Sequence, residues 1–243
     1  RALATDRVDS WHTMVEQAQA ALSQANTSKA PPQAANASAP QIQAAWSQAQ
    51  GLALLYQGSV AALRLHDAPA AQRLAAALRQ RVAAKAGLEN GRQGQMQIQR
   101  ILNLLDADIA REQGRWAEVQ RLTSASGDLY RPELLLHAQA SIRLGQADAA
   151  REQLQGWVTE HTSDASAWLL LAQAQDRLGH GAQMARAQGE AAIAQFDYAK
   201  GLVYLKSARN ALGADLFEGS ILDARIRQVQ QEQKTMDEKL TGD

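Results

Sequence analysis

The 243-residue sequence contains no cysteine, which excludes disulfide bonds, a cysteine nucleophile and zinc sites with cysteine ligands. Aromatic residues make up only 5% of the chain, so a nucleic-acid surface built from stacked aromatic side chains is not expected. The 25 basic and 25 acidic residues balance, and the basic excess typical of polyanion-binding proteins is missing. The lack of cysteine does not fix the compartment, because such a chain is stable in oxidising and reducing surroundings alike.

Long apolar runs and β-branched residues are scarce as well. The best candidate for a membrane span, GLALLYQGSVAAL (Gly51–Leu63), is interrupted by Gln57 and is shorter than the roughly 18 residues that cross a bilayer. Valine, isoleucine and threonine are sparse, whereas the helix-forming residues alanine, glutamine, leucine and arginine dominate. The composition therefore predicts an all-α fold. The chain begins at Arg1, without methionine or a signal-peptide pattern, and we expect it to be a piece of a longer protein.

The most informative feature is a phrase that occurs twice. HAQASIRLG (His137–Gly145) recurs as LAQAQDRLG (Leu171–Gly179), and six of the nine positions are identical. Each phrase is predicted to end a helix at its glycine, because the left-handed C-cap conformation favours glycine. Gly114 precedes Gly145 at nearly the same spacing and extends the pattern upstream. An alanine lies seven positions before each of these glycines and a leucine lies ten positions before, at Ala107, Ala138, Ala172, Leu104, Leu135 and Leu169. Closely packed helices need such small and large residues side by side, and a helix–turn–helix period of about 34 residues is the tetratricopeptide signature.

Three segments are predicted along the chain. Residues 1–22 form an N-terminal helix, and residues 23–40, rich in proline and small polar residues, form a flexible linker. Residues 41–243 form a tetratricopeptide-like helical repeat domain. Within it, Ala147–Glu160 is predicted to be one helix, and Asp164 is predicted to be the N-cap of the next helix. The expected architecture is an all-α, right-handed superhelix of helical hairpins, an α-solenoid, that ends in a long C-terminal capping helix.

The last predicted helix, about 215–240, has apolar residues at heptad-like intervals: Leu222, Ile226, Val229, Met236 and Leu240. The pattern favours a helix that caps the final repeat, because solenoids need a shielded end. Self-association through this helix, or docking of the helix on a partner, stays open. Whether the helix or the linker fills the groove of the solenoid also stays open.

Catalytic motifs are missing from the sequence. The five histidines are never four residues apart, so HExxH is absent, and no G-x-S-x-G occurs. The glycine-rich stretch GLENGRQG (Gly87–Gly94) lacks the GK[ST] of a phosphate-binding loop and is expected to connect two helices. His137 replaces Leu171 of the next repeat and is expected to pack. We predict no catalytic residue, no metal ligand and no cofactor for this chain.

A binding groove is predicted along the first helices of the hairpins. Its candidate residues recur in the repeat: Leu135, Gln139, Arg143, Leu169, Gln173 and Arg177. We call these six residues the first-helix stripe. Amide and guanidinium groups can hydrogen-bond the backbone of an extended peptide. The alternative is that Arg143 and Arg177 only stabilise the C-terminal ends of their helices.

Two phrases resemble exported bacterial zinc metallopeptidases of the BepA type. Thr5–Val8 in RALATDRVDSW fits the second half of the family's HPxxxxRI stretch, and ILDARIRQV (Ile221–Val229) is similar to its closing IDARIR-like phrase. The histidine and proline of the first motif would fall on Arg1 and Ala2. The HExxH motif and the further glutamate ligand of that family lie upstream of the matched region, so no zinc ligand transfers to any residue of this chain.

The resemblance implies a function. The chain would be the non-catalytic C-terminal region of a periplasmic zinc metallopeptidase, with residues 1–22 as the end of the catalytic domain. It would dock the enzyme on outer-membrane protein assembly machinery or present unfolded clients. The expected partner is a protein or an unfolded peptide segment, not nucleic acid. A free-standing tetratricopeptide scaffold without a protease domain is the alternative.

Overall fold

The computed structural model describes residues 2–27, 39–85, 92–124, 130–213 and 215–241. Within these ranges there are eleven helices and no strand. The helices are α1 (Ala2–Thr27), α2 (Ala39–Arg64), α3 (Ala68–Lys85), α4 (Arg92–Glu112), α5 (Trp116–Thr123), α6 (Arg131–Arg143), α7 (Ala147–Glu160), α8 (Ala165–Arg177), α9 (Gly181–Ile193), α10 (Tyr198–Ala211) and α11 (Leu216–Thr241). The all-α prediction is confirmed for the described part of the chain.

The chain divides into two compact units, residues 1–122 and residues 123–243. In the first unit α1 packs against α2, α2 against α3 and α3 against α4. In the second unit each helix from α6 to α11 packs against the next one, and α6 also contacts α8. From α1 to α4 and from α6 to α11, helices that are neighbours in sequence are thus neighbours in space, as in a series of hairpins. The prediction of helical hairpins is confirmed within each unit.

The helix ends explain why glycine recurs in the sequence. Gly114, Gly145, Gly179 and Gly213 have left-handed backbones, with φ of 71°, 79°, 75° and 58°. At the first three, the amide of the following residue bonds back across the last turn, as Gln146 N does to Ser141 O at 2.8 Å. This is the Schellman stop, which favours glycine because no Cβ atom is present. The predicted glycine stops are confirmed.

Other glycines lie inside helices, where two helices cross closely. A Cβ atom at Gly58 in α2 would overlap the side chain of Ala18 in α1. A Cβ atom at Gly201 in α10 would lie 2.5 Å from Ile193 Cγ1 and 3.2 Å from the backbone oxygen of Gly189 in α9. Helices approach this closely only where side chains are minimal. These crossings were not predicted, because the sequence pattern marked glycine only as a helix stop.

The C-terminal helix behaves as predicted for a cap. Leu222 and Val229 are buried in one apolar cluster with Leu205 of α10, and Ile226 packs against the same cluster. The first three residues of the heptad-like pattern therefore pack within the second unit. The side chain of Leu240 lies outside the described residues.

The predicted segment boundaries differ from the structure near the N-terminus. Helix α1 continues to Thr27, past the predicted start of the linker at residue 23, because alanine, glutamine and serine there are compatible with a helix. Since α1 packs on α2, it is an integral helix of the first unit. Helix α2 already includes residues 39 and 40, and residues 28–38 of the predicted linker lie outside the described residues. Helix α4 includes Gly94 of the predicted glycine-rich loop, whose residues 87–91 also lie outside.

Candidate partner-binding surfaces

The first-helix stripe is largely open to solvent. Leu169 is 44% exposed, and Gln173 and Arg177 follow it at steps of four residues, also exposed. On α6, Arg143 is exposed while Leu135 and Gln139 are half-buried. Residues four apart lie on the same face of a helix, so each helix presents the same order of leucine, glutamine and arginine.

The repeat spacing also holds in α10, the first helix of the next hairpin. Val203 in α10 follows Leu169 at the same spacing at which Leu169 follows Leu135, and its side chain is 66% exposed. Isolated exposed apolar residues need no explanation. Leu169 in α8 and Val203 in α10, however, are exposed apolar residues at the same repeat position, so their exposure follows the repeat. Val203 extends the apolar end of the stripe beyond the six predicted residues.

The structure brings the two arginines of the stripe together. Arg143 and Arg177 line one shallow cavity of about 330 Å³, with Ile142 and Leu178 among its other walls. Both arginines also lie in the last turns of their helices, where a cation stabilises the helix C-terminus. The geometry is therefore compatible with the binding role and with the helix-end role.

Asp164, which the sequence marks as the N-cap of α8, holds three helices together. Its carboxylate accepts two hydrogen bonds from the Arg131 guanidinium at 2.7 and 2.8 Å. It also accepts the indole N–H of Trp157 at 3.0 Å and the backbone N–H of Ala167 at 3.2 Å. Trp157 stacks on His161 with ring centroids 3.7 Å apart. One side chain thus joins the start of α6, the end of α7 and the start of α8.

The surroundings of Asp164 shift its pKa. Its side chain is only 6% exposed, and burial alone would raise the pKa. The hydrogen bonds from Arg131, Trp157 and Ala167 favour the charged form more strongly, so the pKa lies below its ordinary value. The Asp164 carboxylate therefore has a structural role. Its oxygens already accept hydrogen bonds from Arg131, Trp157 and Ala167.

A larger cavity of about 650 Å³ lies among the second helices of the hairpins. We call it the second-helix cleft. Residues from α7, the α7–α8 turn, α8, α9, the α9–α10 turn and α11 line it, including Trp168, Arg186, Glu190, Phe196, Arg225 and Glu232. This surface was not predicted, because the repeat pattern directed attention to the first helices. Phe196, one of the lining residues, has a left-handed φ of 62°, which no motif in the sequence indicates.

The ILDARIRQV phrase (Ile221–Val229) contains two residues that form ion pairs with neighbouring helices. Arg225 donates to both carboxylate oxygens of Glu190 in α9, at 2.9 and 2.7 Å. Asp223 accepts from Arg209 of α10 at 3.1 and 3.2 Å. The hydrogen bonds from Arg225 to Glu190 raise the pKa of the guanidinium, which stays charged. The phrase therefore fixes α11 on α9 and α10 through charges on one side and Leu222 on the other.

A further cavity of about 440 Å³ lies in the first unit between α3 and α4. Val82, Ile98 and Leu102 give it an apolar lining, and Arg79 at its edge is ion-paired with Asp106. Burial raises the pKa of Asp106, and the nearby arginine partly offsets this effect. The arginine at this edge is thus already engaged within the unit.

The histidines have local partners. His137 is half-buried and lies 3.1 Å from the Thr123 hydroxyl, in keeping with the expected packing position. His180 Nδ1 lies 2.9 Å from the Gln175 side-chain oxygen, and His66 pairs with Glu112. Among the residues that the structure describes, no group of three or more metal-binding side chains is gathered. None of the described helices combines the length and apolarity that a membrane span requires.

No protein-family model matches the sequence, and no curated protein matches it.

Proposed function

We propose that this chain is a non-catalytic protein-interaction region that binds a segment of a partner protein along the first-helix stripe. The observation that carries the proposal is the order of leucine, glutamine and arginine that α6 and α8 share, exposed on α8 and partly exposed on α6, with Arg143 and Arg177 at one cavity. The core requires the alanines and leucines of the repeat, but it does not require a glutamine and an arginine at matching positions outside the core. Their recurrence favours a role in recognition.

The chemistry of the stripe suits an extended polypeptide. Glutamine amides can both donate to and accept from a peptide backbone, and arginine donates several hydrogen bonds to carbonyl or carboxylate oxygens. Leu169 and Val203 provide apolar contact for the side chains of such a segment. A peptide with carbonyl groups or acidic side chains opposite the two arginines is the partner that this surface fits best.

We further propose that the chain serves an exported zinc metallopeptidase of the BepA type in the periplasm. It would dock the enzyme on outer-membrane protein assembly machinery or present unfolded clients to it. The support is the resemblance of the two phrases at Thr5–Val8 and Ile221–Val229. The coding sequence upstream of Arg1 tests this proposal. An HExxH motif there supports it, and a signal peptide joined directly to the helices favours a scaffold instead.

A titration with unfolded outer-membrane protein segments tests the stripe. Replacing Gln139, Arg143, Gln173 and Arg177 together by alanine should weaken binding at least tenfold, because each lost contact is worth about 0.5–1.5 kcal/mol. The Tm should change little, since exposed substitutions usually alter stability by less than about 0.5 kcal/mol each. Fluorescence anisotropy of labelled segments measures the affinity.

The matched control replaces the same residue types on the surface of the first unit. Arg64, Gln72, Arg73 and Gln80 are exposed on α2 and α3, and their replacement by alanine should leave the affinity unchanged. Equal affinity of the stripe variant and the wild type would remove the stripe assignment. Equal weakening in both variants would point to a general effect of charge.

A further inference from the structure

Phe196 occupies a backbone position at which other helix ends of this chain have glycine. Its φ is 62°, against 79° at Gly145 and 75° at Gly179. The left-handed conformation brings the Cβ atom of an L-residue too close to its own backbone, and a bulky residue there is a genuine outlier. His66, with φ 57°, is the other described non-glycine residue in this state.

The fold makes no use of the Phe196 ring. The turn is held by backbone bonds, from Asp197 N to Ala192 O at 2.9 Å and from Phe196 N to Ile193 O at 2.8 Å. Glycine would make the same bonds without the steric conflict. The ring itself is not in the core, because the residue is 72% exposed. A strained residue that does not serve the core is a reason to look for a function nearby.

The ring borders the second-helix cleft, whose chemistry limits what can bind. Trp168 and Phe196 are its two aromatic residues, and hydroxyl and amide groups come from Gln155, Thr159, Thr162 and Ser163. The formal charges cancel, since Arg186 and Arg225 are matched by Glu190 and Glu232. Arg225 lies 2.7 Å from Glu190 and 3.6 Å from Glu232, and Arg186 lies 3.8 Å from Glu218. Because acidic side chains already engage both arginines, the cleft does not offer a site for a phosphate or another anion.

We propose that the second-helix cleft binds an uncharged, extended peptide segment with an aromatic or large aliphatic side chain packed against Phe196 and Trp168. The hydroxyl and amide groups of the cleft would hydrogen-bond the peptide backbone, and the exposed ring would supply the apolar contact. A volume of about 650 Å³ lies within the usual range of ligand cavities. The site uses different side chains from the first-helix stripe, so the proposal does not depend on the stripe.

Peptide selection identifies the ligand class directly. A displayed library of short peptides is depleted on the Phe196→Ala variant of the full chain and then selected on the wild type. The enriched peptides should contain an aromatic or large aliphatic residue within a stretch free of charged residues. No enrichment, or enrichment of charged sequences, would overturn the proposal.

Titration of one enriched synthetic peptide then separates the roles of the residues. Phe196→Ala should weaken binding about five- to tenfold, the amount expected for loss of an aromatic contact. Phe196→Tyr should bind like the wild type. The alanine variant of Gln139, Arg143, Gln173 and Arg177 should also bind normally. If that variant loses this peptide while Phe196→Ala retains it, the cleft assignment is wrong and the stripe is the site.

Phe196→Gly gives a readout that a purely structural role would not produce. Binding should weaken as in Phe196→Ala, while the Tm rises by about 3 °C because the left-handed strain is relieved. His66→Gly, which changes the other left-handed residue and is not among those that line the cleft, should leave the peptide affinity unchanged. Unchanged affinity of Phe196→Gly would show that the ring does not contact the ligand, and the proposal would fail.

Discussion

Replacing Asp164 by alanine should lower the free energy of unfolding of the second unit by about 3 kcal/mol. Removing one partner of a buried ion pair typically costs about 3–5 kcal/mol, and loss of an N-cap costs about 1 kcal/mol. We expect the low end of that combined range, because Arg131 is 51% exposed and water can hydrate its charge after the substitution. Chemical denaturation followed by tryptophan fluorescence, together with hydrogen exchange of α6 to α8 to assign the change to the second unit, measures the loss.

Asp197 provides the matched control for Asp164. It is also an N-cap, accepting the backbone N–H of Lys200 at 3.1 Å, but it is exposed and no arginine or indole bond to it is observed in the described residues. Asp197→Ala should therefore cost about 1 kcal/mol, the usual value for a cap. If the two variants lose equal stability, the bonds from Arg131 and Trp157 contribute nothing beyond capping, and the central role assigned to Asp164 is wrong.

The same carboxylate predicts a pH dependence of stability. Because the pKa of Asp164 is lower in the folded than in the unfolded protein, its stabilising contribution is complete above the ordinary aspartate value of about 3.9. As the pH falls below that value the unfolded state takes up the proton first, and the contribution is lost by the time the pH passes the folded pKa. In Asp164→Asn this part of the acid sensitivity should be missing. The denaturation midpoints of the wild type and of Asp164→Asn are measured between pH 5 and pH 2. If the midpoints of both proteins fall equally steeply as the pH is lowered, the prediction is wrong.

Replacing Gly201 by valine should destabilise the second unit by about 3 kcal/mol, at the upper end of the usual effect of overpacking. Even a Cβ atom at this position would lie 2.5 Å from Ile193 Cγ1 and 3.2 Å from the Gly189 backbone oxygen. The backbone atom cannot move aside without displacing α9, so the two helices must separate. Denaturation followed by circular dichroism measures the loss.

Gly156 in α7 is the control for the crossing. It is also a helical glycine, but a Cβ atom there would have no neighbour within 4 Å. Gly156→Val should therefore change stability by only a few tenths of a kcal/mol, in the favourable direction, since valine is a slightly better helix former than glycine. If Gly201→Val is equally neutral, the close contact between α9 and α10 is not present in solution.

The helix pattern was predictable because it depends on local features. Apolar periodicity and the left-handed stops at Gly145 and Gly179 are written in short stretches of sequence, and helix α7 was predicted with its observed bounds. The repeat also predicted that Ala138 and Ala172 would be buried, and both are at most 4% exposed. The crossing at Gly201 could not be predicted, because it depends on which residue of α9 faces it.

The candidate site was predictable only in part, for a similar reason. The stripe residues repeat within the sequence, so their shared helix face could be inferred, and the approach of Arg143 to Arg177 follows from the repeat period. The second-helix cleft joins residues from Gln155 to Glu232 that do not repeat. Likewise Asp164 was recognised as a cap, but its bond to Arg131 joins positions far apart in the sequence and has no local signal.

The uniform conformation at the helix stops has a consequence for how this chain can change in length. Gly145 and Gly179 end α6 and α8 with similar backbone angles and the same bonding pattern. Removing or duplicating the repeat from Gln146 to Gly179 would therefore join chain ends of matching geometry, with a first helix leading into a second helix as before. The stops act as interchangeable junctions, so gene rearrangements can add or remove one hairpin at a time without the need for a new turn.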